Sequence, residues 1–189
     1  MRSLFFNLKN KNMSCLINKG RTLPCKNVGG IKNVYFFNNI EDLIDDITVV
    51  DDVVTSTGGA ITIYKYAVRG GQASFEEANE GGDGGASFWT GTLNVTLHKQ
   101  DAASQNLLKL LAYGRPHAII EDYNGNFRLI GTEFGTETTV STSTGVNLGD
   151  PNAYTIVSTS MEKNPAYFIN NTLIDSPSGF DISANTVNV

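Results

Sequence analysis

The side chains that could form a nucleophilic active site are few in this sequence and far apart. A serine or cysteine nucleophile needs a base within hydrogen-bond reach, and the only histidines are His98 and His117. His98 falls on the polar side of an alternating run, and His117 begins a strand-like run just after a proline. We therefore expect surface or partly hydrogen-bonded histidines and no nucleophilic active site.

Carboxylates are more numerous, and several of them are adjacent in the chain. Among these pairs are Asp45-Asp46, Asp51-Asp52, Glu76-Glu77 and Glu121-Asp122. General acid–base catalysis needs two carboxyl groups that face each other across about 5 to 9 Å, whereas neighbours on a strand point to opposite faces. We therefore expect solvated charges here, no catalytic residues, and a protein that is not an enzyme.

Neither a metal site nor a cofactor is predicted. Asp83 is the one carboxylate within the loop Gly81–Gly85, whereas calcium takes about six to eight oxygen ligands. Cys15 and Cys25 lie far from both histidines in sequence, which removes the usual zinc spacings, and two cysteines are too few for a disulfide framework. We expect two reduced thiols in a cytosolic protein. No glycine-rich phosphate loop follows a strand and opens a helix.

The charge of the chain limits its partners. The first twelve residues carry three cations and no anion, so the chain from Met13 onward has eleven cations against nineteen anions. An acidic surface repels phosphates, which disfavours a basic nucleic-acid groove and binding to an anionic membrane. No run approaches the ~20 apolar residues of a membrane span, and Leu4–Phe6 is too short for a signal-peptide core. We therefore expect synthesis in the cytoplasm without export. Residues 1–12 are either an upstream extension or a docking arm.

Alternating apolar residues predict that most elements are strands. The predicted strands are Ile31–Asn38, Ala60–Val68, Ser87–His98, His117–Asp122, Phe127–Thr132, Glu137–Ser141 and Ala153–Ser160. Both alternating faces of Ile31–Asn38 are partly apolar, which indicates a strand buried on two sides. Asn124-Gly125 predicts a tight hairpin turn, because both positions tolerate positive φ angles. Ile40–Asp46 is a short helix at most.

One principal helix is predicted at about residues 100–113. Asp101 can cap its first turn, Gly114 can end its last turn, and Pro116 forbids continuation. Its apolar face consists of Ala103, Leu107, Leu110 and Leu111. Because the strands are joined by local hairpins without strand-helix-strand alternation, we predict a mainly β (α+β) fold. The expected architecture is an antiparallel β-sandwich or half-barrel with this one packed helix.

The chain is predicted to hold one domain with two polar extensions. Residues 1–30 form a turn-rich arm, residues 31–168 form the β domain, and residues 169–189 form a polar tail that extends away from the core. Within the domain, Arg69–Ala86 holds six glycines around a short strand candidate, Gln72–Glu77. We expect this segment to be a long, mobile excursion.

Four stretches resemble the tail tube proteins of tailed bacteriophages, of the Bacteroidetes-phage type. They are Gly29–Tyr35 (GGIKNVY), the strand Thr92–Leu97 that runs into the Leu-rich helix, Gly114–Gly131, and Gly145–Ile156 behind it. The resemblance covers Cys15–Phe168 and extends in fold to the tube protein of type VI secretion systems. It implies a tail-tube-like subunit that assembles as hexameric rings, which then stack. The leader and the polar tail depart from a plain tube subunit, so a hub, terminator or connector ring is an alternative.

The resemblance implies a structural virion protein whose partners are copies of itself, other tail or connector proteins, and DNA in passing. Closing unpaired strand edges against identical neighbours removes an aggregation hazard. A ring lumen lined by carboxylates and hydroxyls would repel DNA phosphates, so DNA could slide through it without being bound. The candidate inter-ring or inter-subunit residues are Arg69, Gly70, Gly71, Glu76, Glu77, Glu80, Gly82, Asp83 and Gly85. A plain flexible loop is the alternative for this segment.

A β-sandwich binding module, lectin-like or receptor-binding, is the second class of function that the sequence allows. Tyr64, Tyr66, Phe88 and Trp89 could form an aromatic platform for a sugar. Aromatic side chains on strands more often belong to a core.

Overall fold

Strands dominate the computed structural model of the protein, which describes residues 19–22, 27–82 and 84–184. The strands are β1 Ile31–Phe37, β2 Ile47–Val50, β3 Val53–Thr57, β4 Ile61–Ala67, β5 Ala73–Gly81, β6 Ser87–His98, β7 His117–Asp122, β8 Phe127–Ile130, β9 Glu137–Ser143, β10 Ala153–Glu162, β11 Tyr167–Ile169 and β12 Phe180–Ile182. The helices are α1 Leu43–Asp46 and α2 Ala102–Tyr113, and a 3-10 turn spans Asn171–Leu173. The prediction of a mainly β fold with one principal helix is confirmed. The predictions for Cys15, Cys25 and residues 1–12 lie outside the described residues.

The strands form two sheets. One has eight strands in the order β12-β4-β1-β7-β8-β11-β3-β2, and the other has four in the order β5-β6-β10-β9. Most neighbouring strands are antiparallel, as predicted, but β11 runs parallel to β3 and β12 runs parallel to β4. These two pairs join the last strands of the chain to strands formed early, so local hairpin signals could not predict them.

β1 lies inside the eight-stranded sheet and is buried on both faces. Its side chains Val34 and Phe36 pack with Leu93 of the four-stranded sheet and form the sandwich core. Tyr35 and Phe37 point the other way, into a second core. The prediction of a strand buried on two sides is therefore confirmed, and it explains why the sequence of β1 lacks a clean alternation.

The second core is enclosed by the eight-stranded sheet itself. Ile47 of β2, Ile63 of β4 and Phe180 of β12 come from the two ends of this sheet and share that core. The hydroxyl of Thr57 also joins the two ends by donating a hydrogen bond to the carbonyl of Ser178 at 3.0 Å. The sheet therefore curls around its own core, which is the half-barrel geometry.

The prediction that the chain after Phe168 extends away from the core is wrong as far as residue 182. β12 pairs with β4, and the side chain of Phe180 is completely buried. β12 has only three residues, so it is too short to show the alternation of apolar and polar residues that predicts a strand. The polar residues on both sides of it therefore led to the prediction of a tail. The folded domain thus extends from Ile31 to Ile182.

The prediction of a mobile excursion at Arg69–Ala86 is also wrong, because half of this segment is a strand paired along its whole length. β5 has nine residues, and each of them pairs with β6, from Ala73 opposite Val95 to Gly81 opposite Ser87. The glycines lie at the ends of β5, in the turn before it and at the hairpin tip. They therefore mark turns, where positive φ is needed.

The end signals of α2 are confirmed, but its predicted apolar face is partly wrong. The carboxylate of Asp101 accepts two N–H groups of the first turn, both at 2.9 Å. Leu108 is the buried residue of the helix, whereas Leu107 and Leu110 are exposed. The reason is that α2 lies beside β9, and its Leu107–Leu110 side borders an open groove.

Two hairpin turns reach positive φ in different ways. Between β7 and β8 the Asn-Gly turn is confirmed, although Gly125 alone has a positive φ, of 79°. The carboxylate of Asp122 holds this turn by accepting the N–H groups of Asn124 and Asn126, both at 2.8 Å. The β2–β3 hairpin was not predicted. Asp51 and Asp52 form its two-residue turn with φ angles of 50° and 62°, the pattern that requires Asn, Asp or Gly.

Candidate assembly surface

The outer face of the four-stranded sheet, opposite the sandwich core, is rich in hydroxyl side chains. Alternation along β6 and β10 buries Leu93, Val95 and Ile156 and turns the intervening residues outward. The outward residues include Thr90, Thr92, Asn94 and Thr96 on β6, Thr155, Val157 and Thr159 on β10, and Thr139 and Ser141 on β9, and the same face also carries Phe88, His98 and Met161. Several are directly paired, such as Thr92 with Thr159 and Thr96 with Thr155. We call this surface the hydroxyl face.

The four strands of this sheet contain no lysine or arginine, although the whole chain has 14. Their ionisable acidic residues are Glu76, Glu77, Glu80, Glu137 and Glu162. Glu76, Glu80 and Glu137 are exposed, and Glu137 forms an ion pair of 2.8 Å with Arg115 from outside the sheet. A surface of hydroxyls and carboxylates offers phosphates little electrostatic attraction.

Both edges of the four-stranded sheet are without a strand partner among the residues that the structure describes. β5 pairs with β6 alone, and β9 pairs with β10 alone. Helix α2 lies beside β9 but makes no backbone hydrogen bond to it. The ends of the eight-stranded sheet are shorter, with three residues in β12 and four in β2. The longer open edges are therefore the ones best suited to add a strand.

The predicted inter-subunit residues do not form one cluster. Arg69, Gly70 and Gly71 precede β5, whereas Gly82 and Gly85 lie at the opposite end, at the hairpin tip. Asp83 lies outside the described residues.

The three glutamates of this set lie on β5 and face different ways. Glu76 and Glu80 are exposed and belong to the outer face, but Glu77 points inward and accepts the N–H of Ala166 at 2.8 Å. Glu77 therefore fastens the hairpin to the domain, and of the three only Glu76 and Glu80 are placed to meet another copy.

Glu162, at the inner side of the same sheet, is a buried carboxylate. It accepts the hydroxyl of Thr132 at 2.7 Å and the N–H of Glu133 at 3.0 Å. Burial raises the pKa of Glu162, while these hydrogen bonds oppose the rise. The arrangement anchors the end of β10 to the loop that follows β8, and sequence pattern gave no sign of it.

His117 was predicted to be a surface or partly hydrogen-bonded residue; it is hydrogen-bonded, but a surface position is wrong because the side chain is buried. The ring is fully buried and stacks on Phe37 with the ring centres 5.0 Å apart. Its Nδ1 bonds to the carbonyl of Gly131, and its Nε2 accepts the N–H of Ile40 at 3.0 Å. Burial lowers the pKa of His117. The imidazole therefore ties three chain segments together as a neutral group.

The expected solvated pair Glu121-Asp122 is also corrected, because Glu121 is buried. Its carboxylate accepts the Lys32 ammonium and the Asn33 amide, both at 2.6 Å, and the Tyr35 hydroxyl at 3.0 Å. Burial alone raises the pKa of Glu121, but these hydrogen bonds outweigh it and hold the pKa below its usual value. The same surroundings raise the pKa of Tyr35, through burial first and the carboxylate second. Glu121 thus fixes β1 to β7 and is not placed for catalysis.

An apolar groove of about 720 Å³ opens between α2 and β4. The apolar and aromatic side chains that line this groove include Tyr64, Tyr66, Leu97, Leu107, Leu110 and Leu111. Tyr64 and Tyr66 line this groove, whereas Phe88 and Trp89 lie at the far end of β6 and, as neighbours on a strand, point to opposite faces. The four aromatic residues considered as a sugar platform are therefore not brought together.

Among the described residues, no group of three or more His, Cys, Asp or Glu side chains is placed to hold a metal ion. No helix in the same part of the chain is long and apolar enough to cross a membrane. No protein-family model matches the chain, no curated protein matches its sequence, and no solved structure matches its fold.

Proposed function

We propose that this protein is a non-enzymatic structural subunit of a phage tail tube or tail hub, in which identical copies form a ring around a channel for DNA. The observation that carries the proposal concerns one sheet. Both edges of the four-stranded sheet lack a strand partner among the described residues, and its strands contain no lysine or arginine. Pairing β9 of one copy with β5 of the next would close these edges around a ring.

The chemistry of the hydroxyl face suits the wall of a DNA channel. A basic wall would bind phosphates and gain free energy from released counterions, which would hold the DNA in place. A wall of threonine, serine and scattered glutamate gains nothing of this kind and still hydrogen-bonds to water. DNA would therefore pass along it without specific binding.

The tip of the β5–β6 hairpin is the proposed contact between stacked rings. Glu76 and Glu80 are exposed on this hairpin, whose tip lies at the far end of the sheet from α2. Other tail or connector proteins would meet the ends of such a stack. The mature location would be the virion tail, after assembly in the host cytoplasm.

Substituting an edge residue with lysine tests the pairing of β9 with another copy. Ser141→Lys places a charge on the exposed side of β9, and a lysine on an edge strand disfavours the addition of a further strand. The matched control is Thr48→Lys on β2, an exposed position at the edge of the other sheet. Circular dichroism would establish that both variants fold.

The readout is the mass of the particles in solution, by light scattering after size exclusion. The proposal expects a ring from the wild type and from Thr48→Lys, and a folded monomer from Ser141→Lys. A Ser141→Lys protein that assembled as readily as the control would contradict the pairing of these edges.

A further inference from the structure

The loop between β9 and β10 displays two apolar side chains that touch almost nothing in their own chain. Val146 is 95% exposed and Leu148 is fully exposed, at 110% of its reference area. Single exposed apolar residues are ordinary on protein surfaces, but two of them two residues apart on one short loop are a compact apolar projection. We call residues 145–150 the knob loop.

The knob loop is held in one conformation by its own polar groups. The Asp150 carboxylate accepts the N–H groups of Val146 and Asn147, each at 2.8 Å, and the Asp150 N–H donates to the Asn147 carbonyl. Gly145 has a φ of 72°, and a Cβ there would lie 2.4 Å from the Asp150 Cβ. At its base, the Gln100 amide donates to the backbone carbonyls on both sides of the loop. A fixed loop loses little conformational entropy when it docks.

The apolar groove beside α2 is the complementary feature of the same molecule. Leu110 is 61% exposed in it, and Tyr64 and Leu107 are also open to solvent. The helix buries only Leu108 in its own chain, although twelve residues are a marginal length for a helix without tertiary packing. Lys65, Lys99 and Arg115 also line the groove, and none of the described residues that line it is Asp or Glu. The wall formed by the leucine and tyrosine side chains is the part that suits an apolar insert.

The knob loop and the groove lie at the same end of the four-stranded sheet, where β6 leads into α2. The loop follows β9, the edge strand on one side of the sheet. Its base meets the end of β6, where the backbone N–H of Lys99 donates a hydrogen bond to the Asn152 carbonyl at 2.8 Å. The groove also begins at the end of β6, at Leu97, but extends to β4, the strand that leads into β5. When β9 of one copy faces β5 of the next, its knob loop comes to the level of the neighbour's groove.

We propose that Val146 and Leu148 of one copy insert into the apolar groove between α2 and β4 of the adjacent copy, so that each ring interface combines a strand pairing with an apolar lock. The contact is head-to-tail, because knob and groove are different surfaces. A repeated head-to-tail contact generates a ring when its rotation closes. This inference rests on the proposed function and specifies which surfaces of neighbouring subunits meet.

Disulfide cross-linking tests the contact directly. In a background with Cys15→Ser and Cys25→Ser, one protein would carry Leu148→Cys and a second would carry Leu110→Cys. We expect a disulfide-linked pair on mixing the two, and no linkage in either protein alone. A protein with both substitutions should give a ladder of linked species up to the size of the ring.

A second pair of variants measures the contribution of the knob. Leu148→Asp should weaken association by roughly 10- to 100-fold, which corresponds to the apolar area of one buried leucine, while the monomer keeps its thermal unfolding profile. The matched control is Phe134→Ser, because Phe134 is an exposed aromatic residue on a loop outside both surfaces. This control should associate like the wild type.

The outcomes separate the lock from the ring itself. The lock would be overturned if Leu148→Asp still formed rings and the Leu148→Cys and Leu110→Cys proteins formed no disulfide. The proposed function would then remain standing. Cross-linking that stops at dimers in the doubly substituted protein would show a two-fold contact, which overturns the head-to-tail arrangement. A wild type that forms no rings, together with no cross-link between the Leu148→Cys and Leu110→Cys proteins, would contradict both proposals.

Discussion

Replacing Phe180 with alanine tests whether the C-terminal strand belongs to the cooperative core. Phe180 exposes none of its surface, and its ring centre lies 6.0 Å from that of Phe37. Removal of a buried phenylalanine side chain costs about 3–5 kcal/mol, since transfer free energy is lost and a cavity remains. For a domain of this size, each kcal/mol shifts the melting temperature by about 2–4 °C. Phe180→Ala should therefore melt roughly 6–20 °C below the wild type.

The matched control is Phe168→Ala on β11. Its ring is 39% exposed and lies 4.6 Å from the guanidinium of Arg128, so its removal should cost about 1 kcal/mol. Urea unfolding of both variants is best measured at concentrations where the wild type is monomeric, because assembly adds apparent stability. If Phe180→Ala lost no more stability than Phe168→Ala, the strand would lie outside the core and the argument from burial would fail.

Three further changes address the buried polar groups and the helix cap. Glu121→Gln should lower the free energy of unfolding by about 1–3 kcal/mol at pH 7, as measured in urea. The pKa of Glu121 in the folded protein lies below its unfolded value of roughly 4.3. The difference in stability between the wild type and Glu121→Gln should therefore shrink as the pH falls through the folded pKa. A difference that does not depend on pH would contradict the role of the charge. Burial lowers the pKa of His117, so the unfolded chain binds a proton more readily than the folded protein does. The free energy of unfolding should therefore decrease below about pH 6.5. An NMR titration that placed the pKa of His117 above that value would be inconsistent with this prediction. Asp101→Ala should cost about 1 kcal/mol in thermal unfolding and Asp101→Asn clearly less, and equal losses would show that the cap does not stabilise the helix.

The sequence predicted those elements whose signals are local. Residues 92–98 of the predicted strand Ser87–His98 alternate between polar and apolar, and the predicted bounds agree with β6 residue for residue. Asp101 and the Asn124-Gly125 turn also act through neighbouring atoms, so their roles could be read from residue type and position. The predicted strand Phe127–Thr132 ends early, at Ile130, because Gly131 turns the chain with a φ of 78°.

Features that depend on distant partners were missed. Phe180 is buried by strands more than a hundred residues away in the chain. The residues next to it in the sequence give no pattern that indicates this burial. Glu121 was interpreted as a solvated charge, since Glu is mostly exposed in proteins, and His117 as a surface or partly hydrogen-bonded residue. Their hydrogen-bond partners, Lys32 and Ile40, come from other strands and loops. Burial of such groups can be inferred only once the sheet order is known.

The same distinction applies to the candidate assembly surface. The acidic charge of the chain predicted a channel wall of carboxylates and hydroxyls, but the face that we propose for this wall follows from the pairing of β5, β6, β10 and β9. The groove beside α2 exists because Leu108, and not Leu107 or Leu110, turns to the core. A helical wheel alone places all these leucines close together, and the position of the helix decides between them.

Negative-stain electron microscopy of the purified protein decides whether its copies close into rings. We expect annuli with a central hole, or tubes of even width, built from subunits of 20.4 kDa each. Particles of monomer size at every concentration up to the limit of solubility would contradict this expectation, because the open edges of β5 and β9 would then need no partner.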